Sequence, residues 1–299
     1  MAQQFEVVDN SFKEIIGKYP KLEKVADDMA FCEGTHWISD GNYLIWSDIP
    51  NDRIMRWSET DGVSIFRTPC GKTNGNTTDL EGRIISCETS GRRVTRTEKD
   101  GSVVTLIDRF RGKRLTSPND VVVKSDGSVW FTDPSYGFLQ PDVGHGNKPE
   151  QDRDRVYRLE PETGRLDSVC EEFDKPNGLT FSFDESVLYI SDTGRTHGEF
   201  RPHHVMAFDV SGKTIINPSI FAEVNPYVPD GMRLDIAGNL YVTAGDGIQV
   251  FNPAGEILGK IHTPEAAANC SFGMTDNQSL FIAAGSSIWR ISLNTAGAR

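Results

Sequence analysis

The chain has 299 residues, enough for two average domains or for one large all-β or α/β domain. It carries 43 acidic and 31 basic residues, a formal net charge of −12, and this balance disfavours nucleic acid and anionic membranes as partners. No apolar run reaches the roughly 18 residues that a transmembrane helix requires.

The N-terminus and the cysteines predict a cytoplasmic location. MAQQFEVVDNSFKEIIGKYP lacks the basic start and the uninterrupted apolar core of a signal peptide. The cysteines are odd in number, far apart and without a C-x-x-C motif, so neither a disulfide framework nor a thiolate zinc site is expected. They are Cys32, Cys70, Cys87, Cys170 and Cys270.

In chain order, the first predicted elements are a strand in FEVVDN (5–10) and a short helical turn within 10–19. Six copies of one unit then follow, each a polar turn with Asp, Gly or Asn that leads into a short β-rich strand. The copies are SDGNYLIWSD (39–48), DLEGRIISCE (79–88), KSDGSVWFTD (124–133), SFDESVLYISD (182–192), DIAGNLYVTAGD (235–246) and TDNQSLFIAAG (275–285). A third strand follows most copies, and 264–268 predicts a second helical turn.

This repeat, with a period near 50 residues, predicts the fold. Six units of about four short antiparallel strands are typical of an all-β, six-bladed β-propeller. A β-sandwich or two small β-domains would also contain many short strands, but a period sustained along the whole chain favours the propeller. We therefore expect one domain over residues 1–299, in which FEVVDN supplies the strand that completes the last blade.

A polar residue precedes the first strand of each predicted blade. Since these strands line the channel of a propeller, six oxygen-bearing side chains should converge there. Carboxylate and amide oxygens suit a hard cation; Ca²⁺ is favoured, and Mg²⁺, Mn²⁺ or Zn²⁺ would also fit. Turn capping is the alternative role for any single one of them. The six are Glu33, Asn76, Asn119, Asn177, Asp230 and Asn269.

The motifs EGTHW, SPND, PNGL, SDTG and PDGM, in this order, resemble the regucalcin/gluconolactonase family, in particular its bacterial sugar-lactonase members. The resemblance implies a six-bladed propeller that binds one divalent metal in its channel and hydrolyses a sugar lactone, such as gluconolactone, to the aldonic acid. It implies Glu33, Asn177 and Asp230 as metal ligands. Asp230 is also the implied proton-transfer residue, and Asn119 the implied substrate contact.

Two further residues are candidate substrate contacts, and two departures from the family pattern bear on specificity. Asn76 belongs to the predicted ring, and His36 either faces the channel or serves packing. Thr35 replaces the usual Pro of the first motif, a minor change in the turn. Ser117 stands where the animal members have Arg, so the preferred sugar is left open.

The loops after the second strands should share a face with the polar ring. The longest, 134–155, is predicted to form a rim or partial lid, and 193–204 and 49–53 lie at equivalent places. No G-x-S-x-G elbow or H-E-x-x-H motif is present. Two alternatives to a lactonase stay open: a phosphotriester hydrolase with a similar site, and a non-catalytic calcium-binding propeller.

Overall fold

The second strand of each repeat is buried on both faces, which explains its continuous apolar sequence. In the first repeat, Leu44, Ile45 and Trp46 are fully buried although they alternate between the two faces of the strand. Every sheet is therefore covered on both sides by its neighbours. The computed structural model describes residues 4–140, 142–146 and 148–298.

Six antiparallel sheets follow one another along the chain, and we number them blades 1 to 6. Blade 1 contains Cys32–Ile38, Tyr43–Asp48, Arg53–Ser58 and Gly62–Arg67. Blade 2 contains Thr73–Thr78, Ile84–Glu88, Arg93–Thr97 and Val103–Ile107. Blade 3 contains Val121–Val123, Val129–Asp133, Arg155–Glu160 and Arg165–Cys170.

The other three blades continue the series. Blade 4 contains Pro176–Phe181, Val187–Asp192, His204–Ser211 and Thr214–Glu223. Blade 5 contains Met232–Leu234, Leu240–Ala244, Gly247–Phe251, Ile257–His262 and, from the N-terminus, Phe5–Val7. Blade 6 contains Ala267–Gly273, Ser279–Ala284, Ser287–Ser292 and, from the N-terminus, Glu23–Ala26.

The first strand of each blade, its inner strand, contacts the inner strand of the next blade, and that of blade 6 contacts that of blade 1. The inner strands therefore close a ring around a channel, as predicted for a six-bladed propeller. Between blades 6 and 1, Trp37 stacks on Phe281 with ring centroids 5.5 Å apart. No helix in the described ranges is long and apolar enough to span a membrane.

The sequence predicted the wrong strand for closure of the ring. Phe5–Val7 pairs with Ile257–His262 as a fifth strand of blade 5, and Glu23–Ala26 pairs with Ser287–Ser292 to complete blade 6. The FEVV segment has the stronger β-propensity, whereas EKVA carries two charged residues. The helix between the two segments determines which blade each of them can reach, and this position overrides the difference in β-propensity.

The helices are few and short. Ser11–Ile16 lies inside the predicted segment 10–19, but the turn predicted at 264–268 is wrong, because its last two residues begin the inner strand Ala267–Gly273. Tyr136–Leu139 and a 3₁₀ turn, Gly194–His197, lie in loops that follow second strands. A short hairpin connects blades 2 and 3, and its two strands, Arg109–Phe110 and Lys113–Arg114, have two residues each.

We expect Phe12→Ala to destabilise the fold by about 3–5 kcal/mol. The Phe12 side chain is fully buried in the cluster that joins blades 5 and 6, and its ring lies directly on Gly259. Denaturant unfolding measures the change in free energy. Tyr19→Ala, at a side chain that is 84% exposed, is the matched control and should change it by less than about 0.5 kcal/mol. Equal values for the two variants would contradict this account of ring closure.

Candidate active site

A cavity of about 310 Å³ opens at one mouth of the channel. Its floor is a ring to which each blade contributes the residue that begins or precedes its inner strand. We call this set the upper ring. It comprises Glu33, Asn74, Asn119, Asn177, Asp230 and Ala268.

Backbone contacts establish that these six positions are equivalent. The amide N–H of Gly75 donates to the carbonyl oxygen of Asn119 at 2.7 Å, and that of Gly231 donates to Ala268 at 2.7 Å. A Cβ atom added to Gly34 would collide with the carbonyl oxygen of Asn74. The residue after each ring position thus packs on the backbone of the next blade, where glycine permits the closest approach.

Four predicted residues, Glu33, Asn119, Asn177 and Asp230, come together in the upper ring. Asn76 and Asn269 do not line the cavity; Asn74 and Ala268 occupy their places. The pairing of the inner strand with the second strand slips between Thr73 and Asn76, and again between Ala267 and Asn269. Such bulges insert a residue and change which side chain faces the channel. The dipeptide Asn74-Gly75, which matches Glu33-Gly34 and Asn177-Gly178, was the available sequence signal in blade 2.

The two displaced asparagines support the structure. The Asn76 amide donates to Gly34 O and to Ser47 Oγ, both at 3.0 Å, and its Oδ1 accepts from Ser86 Oγ at 2.8 Å. Asn269 Oδ1 accepts from Thr35 Oγ1 at 3.2 Å. Both side chains satisfy groups beneath the ring.

His36 lies away from this cavity. It lines a second cavity at the opposite mouth of the channel, where its Nε2 is 3.1 Å from Thr78 Oγ1. Burial lowers its pKa to about 3, and the positive charge of Arg233 acts in the same direction. The structure therefore places a neutral imidazole far from the upper ring.

Two carboxylates of the upper ring interact electrostatically: Glu33, which is buried, and Asp230, which is half-buried. Burial raises the pKa of Glu33 to about 8, while an amide N–H of Gly34 that donates to Oε2 at 2.9 Å opposes the rise. Burial and the charge of Glu33 raise the pKa of Asp230 well above its usual range. Asp230 Oδ1 is buried without a hydrogen-bond partner in the described part of the chain. Such a pair is neutralised either by protonation or by a positive charge between its members.

The donor set fits a hard cation. A hydrogen bond from the Asn177 side chain to Asp230 lowers the pKa of Asp230 and leaves the amide oxygen of Asn177 available. Across residues 4–140, 142–146 and 148–298, no three His, Cys, Asp or Glu side chains form a metal-binding group. A cation here would therefore need the Asn177 oxygen beside the two carboxylates, which is an all-oxygen set.

Asp120 is a further buried carboxylate that the sequence analysis missed. It stands at the position held by Gly34, Gly75, Gly178 and Gly231 in other blades. Its Oδ1 accepts from the Val121 amide at 2.9 Å, and its Oδ2 is buried without a partner among the described residues. Its charge raises the pKa of both Glu33 and Asp230. The dipeptides E-G, N-G, N-D, N-G and D-G contained the signal: one acid in a run of glycines.

The loops predicted to surround the site do form its walls. Tyr136, Gln140 and Val143 come from 134–155, and Thr193 and Thr196 come from 193–204. The Tyr136 hydroxyl lies 3.0 Å from Thr196 Oγ1 and ties the two loops together. An apolar wall faces them, formed by Phe31, Ile49, Val228, Ala266 and Ala267. Residues 141 and 147 of the predicted rim lie outside the described residues.

Ser117 anchors the rim and does not line the cavity. Its hydroxyl donates to Pro134 O at 2.5 Å and accepts from the Gly137 amide at 2.8 Å. A Cβ atom added to Gly137 would lie only 2.5 Å from the Ser117 Cβ. Where the animal members of the resembled family have Arg, this chain therefore uses a small side chain to hold the helix Tyr136–Leu139 against the site.

Residues 31–286 match the family described as SMP-30/Gluconolactonase/LRE-like region. The chain belongs to this family. A gluconolactonase from Zymomonas mobilis is 33% identical, over 92% of this chain and 82% of its own length. The solved structure of a gluconolactonase from Xanthomonas campestris is 34% identical, with a TM-score of 0.92 over 98% of this chain and 95% of that one.

A more distant member shares the fold alone. The structure of a calcium-binding regucalcin from Agrobacterium tumefaciens is 14% identical, with a TM-score of 0.71 over 95% of this chain and 96% of its own. The predicted family and the predicted six-bladed propeller are both confirmed.

We expect Asp120→Asn to act in opposite directions on the metal-free and metal-loaded protein. In excess chelator the melting temperature should rise, because the repulsion of Asp120 by Glu33 and Asp230 is lost. Affinity for a divalent cation should fall, because the site loses a negative charge. Calorimetric melting and titration measure the two effects. Asp27→Asn, at a side chain that is 56% exposed, is the matched control and should change neither. A lower melting temperature in chelator together with unchanged cation affinity would contradict the assigned repulsion.

Proposed function

We propose that this chain hydrolyses sugar lactones to aldonic acids with a divalent cation held by Glu33, Asn177 and Asp230. The observation that carries the proposal is the upper ring: two carboxylates and an amide meet at the floor of an open cavity, and one oxygen of Asp230 has no protein partner. Membership of a gluconolactonase family supports the reaction class. The all-oxygen donor set favours Ca²⁺ over softer ions.

A cation bound there supplies a Lewis acid for the lactone carbonyl and for the oxyanion that develops on it. Proton transfer to and from the reacting oxygens is the role of a protein side chain, Asp230. Asp230 accepts a proton from the attacking water, whose oxygen forms the new bond to the carbonyl carbon. When the ring C–O bond breaks, Asp230 returns that proton to the leaving oxygen, which becomes a hydroxyl group of the acid.

Two free amides orient the substrate. The side chains of Asn119 and Asn74 line the cavity, and neither makes a hydrogen bond to another described residue. Each amide offers donors and an acceptor, as a polyhydroxylated ring requires. Analogues that lack hydroxyl groups would leave these amides unpaired, which is costly in a water-excluding site.

The cavity dimensions favour one sugar ring. Its volume of about 310 Å³ leaves little room beyond a single lactone. The apolar wall that includes Phe31, Ile49 and Val228 faces the amide floor, so one face of a sugar packs on carbon while its hydroxyl groups meet the amides. The long loops close the remaining sides, and no extended apolar groove for an acyl chain leads away among the lining residues.

We also propose that the protein acts in the cytoplasm on a small molecule, without nucleic-acid or membrane partners. All five cysteines are free thiols, which suits a reducing compartment. The net charge of −12 disfavours polyanionic surfaces.

A panel assayed by acid release tests the function. It comprises gluconolactone, a pentonolactone, an N-acyl homoserine lactone and a phosphotriester, each with and without chelator. We expect kcat/KM for the better sugar lactone to exceed that for the acyl lactone by about tenfold or more, since unpaired amides penalise the latter. Chelation should abolish hydrolysis and Ca²⁺ should restore it. Spontaneous lactone opening is subtracted with heat-denatured protein.

Three results of this panel would contradict the proposal. Full activity in protein whose metal content is confirmed as zero would show that the reaction needs no cation. Preference for the phosphotriester or the acyl lactone would change the substrate class. Cation binding without any turnover would indicate a non-catalytic propeller.

The division of roles predicts different kinetics for two variants. Asp230→Asn should lose kcat almost completely, because it removes the proton acceptor and weakens the cation site together. Asn119→Ala should mainly raise KM, because it removes only an orienting amide. Steady-state kinetics at saturating Ca²⁺ measure both parameters. A greater loss of kcat in the Asn119 variant would reverse the assignment.

A further inference from the structure

A second cavity, of about 810 Å³, opens at the opposite mouth of the channel. Each blade contributes to it the residue three positions after its member of the upper ring. We call this set the lower ring. It comprises His36, Thr77, Val122, Thr180, Arg233 and Ser271.

Bulges explain why both rings face the channel. In a regular strand, residues three apart point to opposite faces. The inner strands of blades 1, 2, 4 and 6 each contain a register shift within these three residues. The inserted residue restores the direction of the side chain. The lower ring is therefore as much a product of the repeat as the upper ring.

Arg233 brings a positive charge to the lower ring, and this charge also lowers the pKa of the buried Glu33 and Asp120. Its Nη1 donates to the carbonyl oxygen of Met232 at 2.7 Å, and it forms no ion pair with any acidic side chain that the structure describes. Glu185 also lines this cavity, but Lys124 lies 2.6 Å from its carboxylate and neutralises it. Arg233 is partly buried, and its side chain makes no other hydrogen bond among the described residues, so most donors of this guanidinium are left for a ligand.

Three hydroxyl groups of the lower ring are also without partners. Ser271 is 3% exposed, and its Oγ is buried with no hydrogen bond in the described structure. The hydroxyls of Thr77 and Thr180 make no hydrogen bond to another described residue. Buried polar groups in native proteins are normally satisfied, so the Ser271 hydroxyl indicates a hydrogen-bonding occupant, and the Thr77 and Thr180 hydroxyls are available to it. The neutral His36 can act as a donor or an acceptor beside them.

Aromatic rings complete the wall. Trp37, Phe181 and Phe272 line the same cavity, and flat apolar surfaces of this kind pack against the carbon skeleton of a polyol. The combination of one unpaired guanidinium, several free hydroxyls and aromatic faces is specific. It matches a compact anion that carries hydroxyl groups.

We propose that the lower ring binds a small hydroxylated carboxylate, with its carboxylate on Arg233 and its hydroxyls on Ser271, Thr77 and Thr180. An aldonate is one such molecule, and shorter hydroxy acids share the chemistry. The inference does not depend on the proposed function, because the lower ring contains none of the residues assigned to the reaction. Its failure and the failure of the lactonase assignment are therefore distinguishable.

Isothermal titration with sodium gluconate, in excess chelator, tests the proposal on the full chain. The chelator removes any cation that would hold an anion in the upper cavity, and the variants below assign the saturable binding to one of the two cavities. Arg233→Met should weaken binding about tenfold or more, since a charge-assisted pair is lost. Arg165→Met, which removes an exposed charge from an outer strand, is the matched control and should leave binding unchanged. Asn119→Ala, in the upper cavity, should also leave it unchanged.

Additional variants and ligands separate the contribution of the hydroxyl groups from that of the charge. Thr180→Val and Ser271→Ala should each weaken gluconate binding several-fold, and they carry the test if Arg233→Met fails to fold. Lactate should bind more weakly than gluconate, and acetate and glucose, which lack hydroxyls and charge respectively, more weakly still. Absence of binding, or equal binding by the parent protein and Arg233→Met, would overturn the site. Inorganic phosphate that binds as tightly as gluconate would overturn the hydroxy-acid assignment.

Discussion

The close approach of six inner strands at one mouth of the channel is the constraint on which the rest of the structure depends. Glycine follows the upper-ring residue in four of six blades, and the Gly75 amide donates directly to the next blade's backbone at 2.7 Å. In these four blades only backbone fits between neighbouring strands, so the preceding side chain points to the channel mouth. Convergence of Glu33, Asn119, Asn177 and Asp230, which are far apart in sequence, is a direct result of this packing.

The same convergence creates an electrostatic problem that the fold leaves for a ligand to solve. Glu33 and Asp120 are buried and Asp230 is half-buried, and none of the three gains a cationic side chain in hydrogen-bond contact among the described residues. Hydrophobic packing between the blades must bear that cost in the metal-free protein. A cation bound at the proposed site would relieve this repulsion as well as form new contacts. Stability and function are thus opposed at the upper ring, as is common at catalytic centres.

The two mouths of the channel have different chemistry although one repeat builds both. Carboxylates and amides dominate the upper ring, while Arg233 and unpaired hydroxyls mark the lower ring. Long loops cover only the upper mouth, where Ser117 fastens the rim through Gly137. The walls of the upper cavity therefore come from loops held by a rigid scaffold, and such loops can vary without disturbing the upper ring.

Features that depend on residues close together in the sequence were predictable, and features that depend on tertiary pairing were not. The repeat of polar turn and β-rich strand is local, so the sequence alone determined six blades, and the Asn and Asp beside Pro in blades 3, 4 and 5 marked three members of the upper ring correctly. Whether Asn74 or Asn76 belongs to the upper ring is decided by strand pairing. It depends on a bulge in which the inner strand slips against its partner, and the glycine that follows Asn74 was the only local sign of it. Ring closure by Glu23–Ala26 instead of FEVVDN, and the place of His36 at the far mouth, likewise depended on tertiary pairing. A strand's propensity is a property of its own residues, but its register and its neighbours are decided only when the blades pack.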